Sequence, residues 1–193
     1  MEKVKYFEKE LTYIKNERIK NSGIYLINHL PDYFFEIPAS STGKYHPKYA
    51  LGEKGLLRHT KAAVRIAYEL LINPIIGNKY TNDEKDIMIL SLIIHDGLKS
   101  GKIKNKYTMV DHPLLIASLV EEEKNNLSLN NEEIILLKNV VSSHMGPWNK
   151  DYDGNEVLPV PKSKYESFVH MCDYLASRKC ILVAFDENNE VID

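Results

Sequence analysis

The chain reads as an all-α helical bundle, and three observations predict it. Apolar residues recur at three- and four-residue spacing in successive segments, helix N-cap residues stand just ahead of those segments, and a strand-like pattern is confined to residues 180–193. With 193 residues, 44% of them hydrophobic, the chain can bury one sizeable core. We read it as a single domain over 1–193, with N-terminal helices and a loop in 1–55, a helical core in 56–179 and a tail in 180–193.

Each element has its own signal. Val4, Phe7, Leu11, Ile14 and Arg18 lie near helical spacing and predict one amphipathic helix from Lys3 to Lys20. Gly23 interrupts, Ile24 to Leu30 forms a second short apolar piece, and Pro31 stops it. Residues 37–55 bring Pro, Ser, Thr, Gly, Lys, Tyr and His in quick succession, which predicts a long loop of a length more often functional than accidental. Ala63, Ile66 and Leu70 share one face of a helix from Leu56 to Leu71, ended by Asn73-Pro74. Thr81-Asn82-Asp83-Glu84 offers N-cap chemistry to a helix that ends at His95, and its run Ile87 to Ile94 is apolar on every side, hence buried. Asp111 at the cap and Pro113 in the first turn open another helix. Asn130 starts the next, in which Ile134, Leu137, Val141 and His144 share a face, and Pro147 stops it. Ser163 caps a last helix to about Lys179, and residues 180–192 predict a small β-hairpin.

Composition excludes several classes of function. Lys and Arg total 25 against 27 Asp and Glu, so there is no global basic field, and long nucleic acid is not an expected partner, a local basic groove aside. Cys172 and Cys180 form no Cys-x-x-Cys pattern and read as reduced thiols of a cytoplasmic protein, neither of them a nucleophile. The charged N-terminus lacks an apolar leader core, and no apolar stretch reaches the ~20 residues of a membrane span.

The chemistry concentrates at His95-Asp96, which closes the most buried element. An ionised Asp there must be compensated, and an adjacent imidazole makes a metal the sharpest candidate. His59, His112 and His144 stand near other helix ends and Asp173 on the last long helix, which are the materials of a metal site inside a bundle.

The order His59-Thr60, then Leu92-Ile93-Ile94-His95-Asp96-Gly97-Leu98-Lys99, then Asp173, resembles the H…HD…D signature of the HD-domain metal-dependent phosphohydrolases, over about Leu57 to Arg178. Asp111-His112-Pro113 and Ser143-His144-Met145-Gly146 look like the two extra histidines of members with a binuclear centre, and Lys99 takes the place of a lysine that often follows the pair. The stretch from Ser142 to Leu175 is similar to the HD part of the CMP-binding-factor-like 3'-5' exoribonucleases. Gly97-Leu98 replaces the usual Ile-Gly, Met145 replaces a second histidine, and the OB domain of those nucleases finds no room in these residues. The resemblance implies an HD-type bundle. It implies that His59, His95, Asp96 and Asp173 hold one divalent ion while Asp96 bridges to a second on His112 and His144, with Asp96 and Lys99 as catalytic residues. Fe, Mn, Co, Ni, Zn and Mg are all admissible, as one ion or two.

Substrate contacts are expected in the loop before His59, where Lys44 and His46 could grip a phosphate, and at Trp148, which could stack a base or cover the core. The segment around Lys44 is not a Walker A loop, since Pro38 stands at the first Gly position and Tyr45 follows the Lys. Glu166, His170 and Asp173 share a stripe, so His170 is either a partner of the metal ligands or a plain buried histidine. The favoured reading is a phosphohydrolase acting on a nucleotide or other small phosphoester. A 3'-5' exonuclease or phosphodiesterase on short single strands or cyclic nucleotides is the second, and a metal- or nucleotide-binding sensor without turnover the third. A homo-oligomer is compatible with all three.

Overall fold

The computed structural model describes residues 2–192; Met1 and Asp193, the ends of the expected 1–193 span, lie outside the described residues. The described residues form an all-α bundle of eight helices: α1 (Glu8–Leu11), α2 (Glu17–His29), α3 (Gly55–Ile72), α4 (Pro74–Gly77), α5 (Asn82–Ile94), α6 (His112–Glu123), α7 (Asn131–Ser142) and α8 (Lys164–Ala176). The uniformly apolar α5 lies at the centre and packs against α2, α3, α7 and α8, while α6 pairs with α7 and α3 with α8. Residues 86–94 are all buried, so the run without a polar face finds protein on every side. Capping boxes at Thr81/Glu84 and Asn130/Glu133 start α5 and α7 where the sequence places them. None of the helices among the described residues is long and apolar enough to cross a membrane.

Five expectations need correction. The expected helix from Lys3 to Lys20 is broken: a 3-10 turn over Lys3–Phe7 leads into α1, and α2 restarts at Glu17. The buried Asp86 of α5 accepts the backbone N–H groups of Lys15 and Asn16, at 3.0 and 2.7 Å, and the Asn16 side chain caps Arg18 N, so the break is built from hydrogen bonds. Gly23 does not interrupt but sits inside α2, where a Cβ would lie 3.1 Å from Leu90 Cδ1; it lets α2 approach α5 closely. Asp111 stands at the N-cap of α6 but its side chain makes no capping bond. The tail forms no strands, only one antiparallel bridge between Phe185 and Val191 around a turn held by the Asp186 carboxylate. That tail is tied by side chains instead: Lys9 Nζ donates to Val191 O and Arg58 Nη1 to Asn189 Oδ1. The last helix stops at Ala176, three residues short of the expected Lys179.

Residues 37–55 are irregular apart from a 3-10 turn at Lys48–Ala50, as their composition predicts. Arg58, in the first turn of α3, donates to the carbonyls of Tyr49, Leu51 and Glu53 and so fixes the end of this loop beside the helix that carries His59. Between α5 and α6, Tyr33 Oη donates to Gly101 O and accepts Ser100 N–H, which fixes the turns after Asp96.

Candidate metal centre

Helix ends bring the expected ligands together. His95 is the C-cap of α5 and His144 follows the C-terminus of α7, where the last carbonyls have no helical N–H partner. Each ring fills that need: His95 Nδ1 bonds Leu92 O and His144 Nδ1 bonds Val141 O, both at 2.7 Å. His112, at the first position of α6, does the same to Met109 O at 2.7 Å. The backbone therefore takes Nδ1–H in all three and turns Nε2 toward the interior.

The Nε2 atoms converge on two carboxylates. Asp96 Oδ2 faces His59 Nε2 at 3.7 Å, His95 Nε2 at 3.5 Å and the Lys99 ammonium at 2.6 Å, while Oδ1 faces His112 Nε2 at 3.0 Å and His144 Nε2 at 3.7 Å. Asp173 Oδ1 lies 2.9 Å from His59 Nε2 and 3.4 Å from His95 Nε2. His95, His112 and His144 Nε2 and Asp96 Oδ1 are buried without a hydrogen-bond partner among the described residues.

Protons alone do not resolve this cluster. Two carboxylates face Lys99 and four imidazoles whose rings pack 4.9 to 5.6 Å apart, and charging every ring would crowd five cations around two anions. Some Nε2 lone pairs must therefore stay bare and aimed at a common space, and a buried bare lone pair is costly unless something fills it. The triads His59, His95, Asp173 and His95, Asp96, His144 each have ligand atoms within 4.8 Å of one another and could each hold a metal ion. A mixed imidazole/carboxylate donor set suits divalent first-row metals.

Titration follows the same geometry. Burial opposes ionisation of Asp96, but the Lys99 ammonium and the His95, His112 and His144 rings outweigh it and hold the carboxyl well below its usual range. Asp173 is likewise held low against its burial by His59 and His95. Burial would push His95 down, yet Asp96 and Asp173 raise it, whereas in His112 burial wins and keeps the ring neutral.

A cavity of about 570 Å³ opens onto this cluster, with Asp96, His112 and Asp173 in its lining. His46 also lines it, its ring edge-on to His59 at 5.0 Å and its Nδ1 buried without a partner; burial, aided by His59 and Lys99, holds this imidazole down at about 3. Lys99 and Trp148 are in the wall as well. Lys44 is not: it is exposed, with its ammonium over the ring of the likewise exposed Tyr45, because the loop turns His46 toward the cavity instead. His170 lines the cavity and its Nδ1 donates to His144 O at 2.7 Å, so it braces the backbone of a ligand-bearing residue. Burial holds the Cys172 thiol above its usual range, as befits an inert thiol. Sequence reasoning missed Tyr174 and Arg178, which line the wall. Their only sequence signal is a helical spacing of four just after Asp173.

Among curated proteins, the chain is 25% identical over 141 residues to the 3'-5' exoribonuclease YhaM of Listeria monocytogenes, covering 69% of this chain and 42% of that protein. It is 26% identical over 157 residues to the 3'-5' exoribonuclease YhaM of a Geobacillus species, covering 76% of this chain and 45% of that protein. The chain thus spans less than half the length of the curated relatives it matches. Neither a family model nor a solved structure matches it. The chain is distantly related to proteins named 3'-5' exoribonuclease.

Proposed function

We propose that this protein is a metal-dependent phosphohydrolase that cleaves a phosphoester or phosphoanhydride of a nucleotide in the cavity above Asp96. One observation carries the reading: four imidazole Nε2 atoms and two carboxylates converge on a shared space that their own protons cannot satisfy. His59, His95, Asp96 and Asp173 would hold one ion, and Asp96 would also serve a second on His112 and His144; the separation of its two oxygens between these two groups of histidines supports that role. A divalent ion there supplies acidified water and neutralises charge on phosphoryl oxygens.

The remaining chemistry belongs to the chain. Lys99 keeps Asp96 ionised and presents its ammonium at the cavity wall, where a phosphoryl oxygen replaces Asp96 Oδ2 as its partner. His46, neutral and half-buried, offers a hydrogen bond from the opposite loop to the same phosphate. The cavity is of a size suited to small ligands and takes one nucleotide unit. The test is a panel of nucleoside mono-, di- and triphosphates, cyclic dinucleotides and short oligonucleotides with Mn or Co. Release of phosphate or nucleotide is expected, and its absence throughout the panel overturns the reading.

The names of the relatives favour a second reading, a 3'-5' exonuclease on short single strands. Ionic strength separates the two: cleavage of an oligonucleotide gripped at several phosphates weakens steeply with salt, and that of a mononucleotide much less.

A further inference from the structure

Three groups in the cavity wall have no part in the metal centre. Trp148 and Tyr174 lie nearly parallel, 14° apart with ring centroids at 5.5 Å. The Arg178 guanidinium carbon is 4.2 Å from the Tyr174 centroid and 6.0 Å from that of Trp148. All three line the cavity that contains Asp96 and Asp173. The arrangement is anchored. Arg178 Nε donates to Tyr174 O and Ser177 Oγ and its Nη2 to Ser177 Oγ, which fixes the plane of the guanidinium. Trp148 stands four residues after His144 and its backbone N–H donates to Met145 O; the intervening Gly146 has a φ of +60°, and a Cβ there would lie 2.2 Å from His170 Cε1. Tyr174 directly follows Asp173. Yet Trp148 stays 51% exposed, an apolar plane left open in the cavity that also holds the Asp96 and Asp173 carboxylates.

We infer that Trp148 and Tyr174 form a stacking ledge for the nucleobase of the substrate, held in place by Arg178 as a positioning residue. This rests on the nucleotide reading above. An aromatic plane fixed to the two ligand-bearing segments places a base at a set distance from the phosphate to be cleaved, and stacking accepts any base because each has a π face. The ledge therefore recognises that a base is present, not which one.

Trp148 is the only tryptophan in the chain, so its fluorescence reports the ledge without turnover. Titrating the protein with AMP, CMP, ribose 5-phosphate and inorganic phosphate is expected to quench Trp148 with both nucleotides and with neither base-free compound. In Tyr174→Leu the midpoint of the AMP titration moves at least about fivefold higher. In Arg178→Met, KM for a cleaved nucleotide rises with kcat nearly unchanged, and Arg178→Lys does not restore it, because the planar stack is lost. Equal quenching by ribose 5-phosphate, or none by AMP and CMP, overturns the ledge. Quenching by nucleotides in a protein that hydrolyses none of them leaves the ledge standing and overturns the hydrolase reading instead.

Discussion

Two residues apart on α3, His59 and Lys61 enter two buried charged clusters of opposite character. Lys61, 1% exposed, donates to Glu10 Oε2 at 3.2 Å and to Glu190 Oε1, and so ties α3 to α1 and the tail. There a cation with several protons meets two carboxylates and donates to both, leaving one oxygen, Glu190 Oε2, without a partner among the described residues. His59 faces Asp173 and Asp96 together with three more imidazoles, and there acceptor atoms meet acceptor atoms. Burying charge therefore does not by itself mark a functional site. The distinction lies in how far donors meet acceptors: the Lys61 ammonium reaches both of its carboxylates, whereas the Asp96 cluster leaves the Nε2 atoms of His95, His112 and His144 and one Asp96 oxygen unpaired among the described residues and so asks for a ligand.

That contrast can be broken at either side. The largest expected effect is on activity: Asp96→Ala leaves metal at background by elemental analysis and lowers hydrolysis by at least about 10²-fold, the scale for losing one group that stabilises transition-state charge. Undiminished metal in that variant would falsify the centre. Next, Lys61→Ala strips the shared cation from two carboxylates and costs about 3–5 kcal/mol in urea unfolding, while metal per folded protein is unchanged. Lys61→Met with Glu10→Leu, which removes both buried partners, should recover most of that loss, and a failure to do so argues against a purely structural pair.

A smaller effect concerns pH. Burial and the neighbouring cations lower the His46 imidazole from 6.5 to about 3. The folded state keeps it neutral while the unfolded chain takes up a proton, so its contribution is complete above about pH 6.5 and is lost as the pH falls toward about 3. His46→Gln should flatten the dependence of the urea midpoint on pH across that window; an unchanged slope shows that His46 titrates normally. Smallest of all, Lys44→Ala is expected to leave stability within about 0.5 kcal/mol and KM unchanged, since Lys44 is exposed beside Tyr45 and away from the cavity. A rise in KM would return Lys44 to the site.

Much of this was legible in the residues. The capping boxes at Thr81 and Asn130 and the apolar run of α5 were readable because their causes are local: a side chain three residues from its partner, and a segment with no polar face. The break between α1 and α2 was not, because the donors of Lys15 and Asn16 are bound by Asp86, about seventy residues away. The same holds for Gly23, whose role depends on Leu90 across an interhelical contact. Lys44 and His46 looked equivalent in a loop of polar residues, and only the turn of the backbone sends one outward and the other against His59.

By itself, the sequence determined the helical class, the order of the chemistry-bearing residues and their positions near helix ends, since spacing and capping act over one or two turns. Tertiary structure alone decided which atoms meet. Helix-end carbonyls and the Met109 carbonyl take Nδ1 of three histidines and aim Nε2 inward, the two oxygens of Asp96 face different rings, and Trp148, Tyr174 and Arg178 close one wall. Those outcomes depend on orientation and on the balance of donors against acceptors among segments far apart in the chain, which no local pattern encodes.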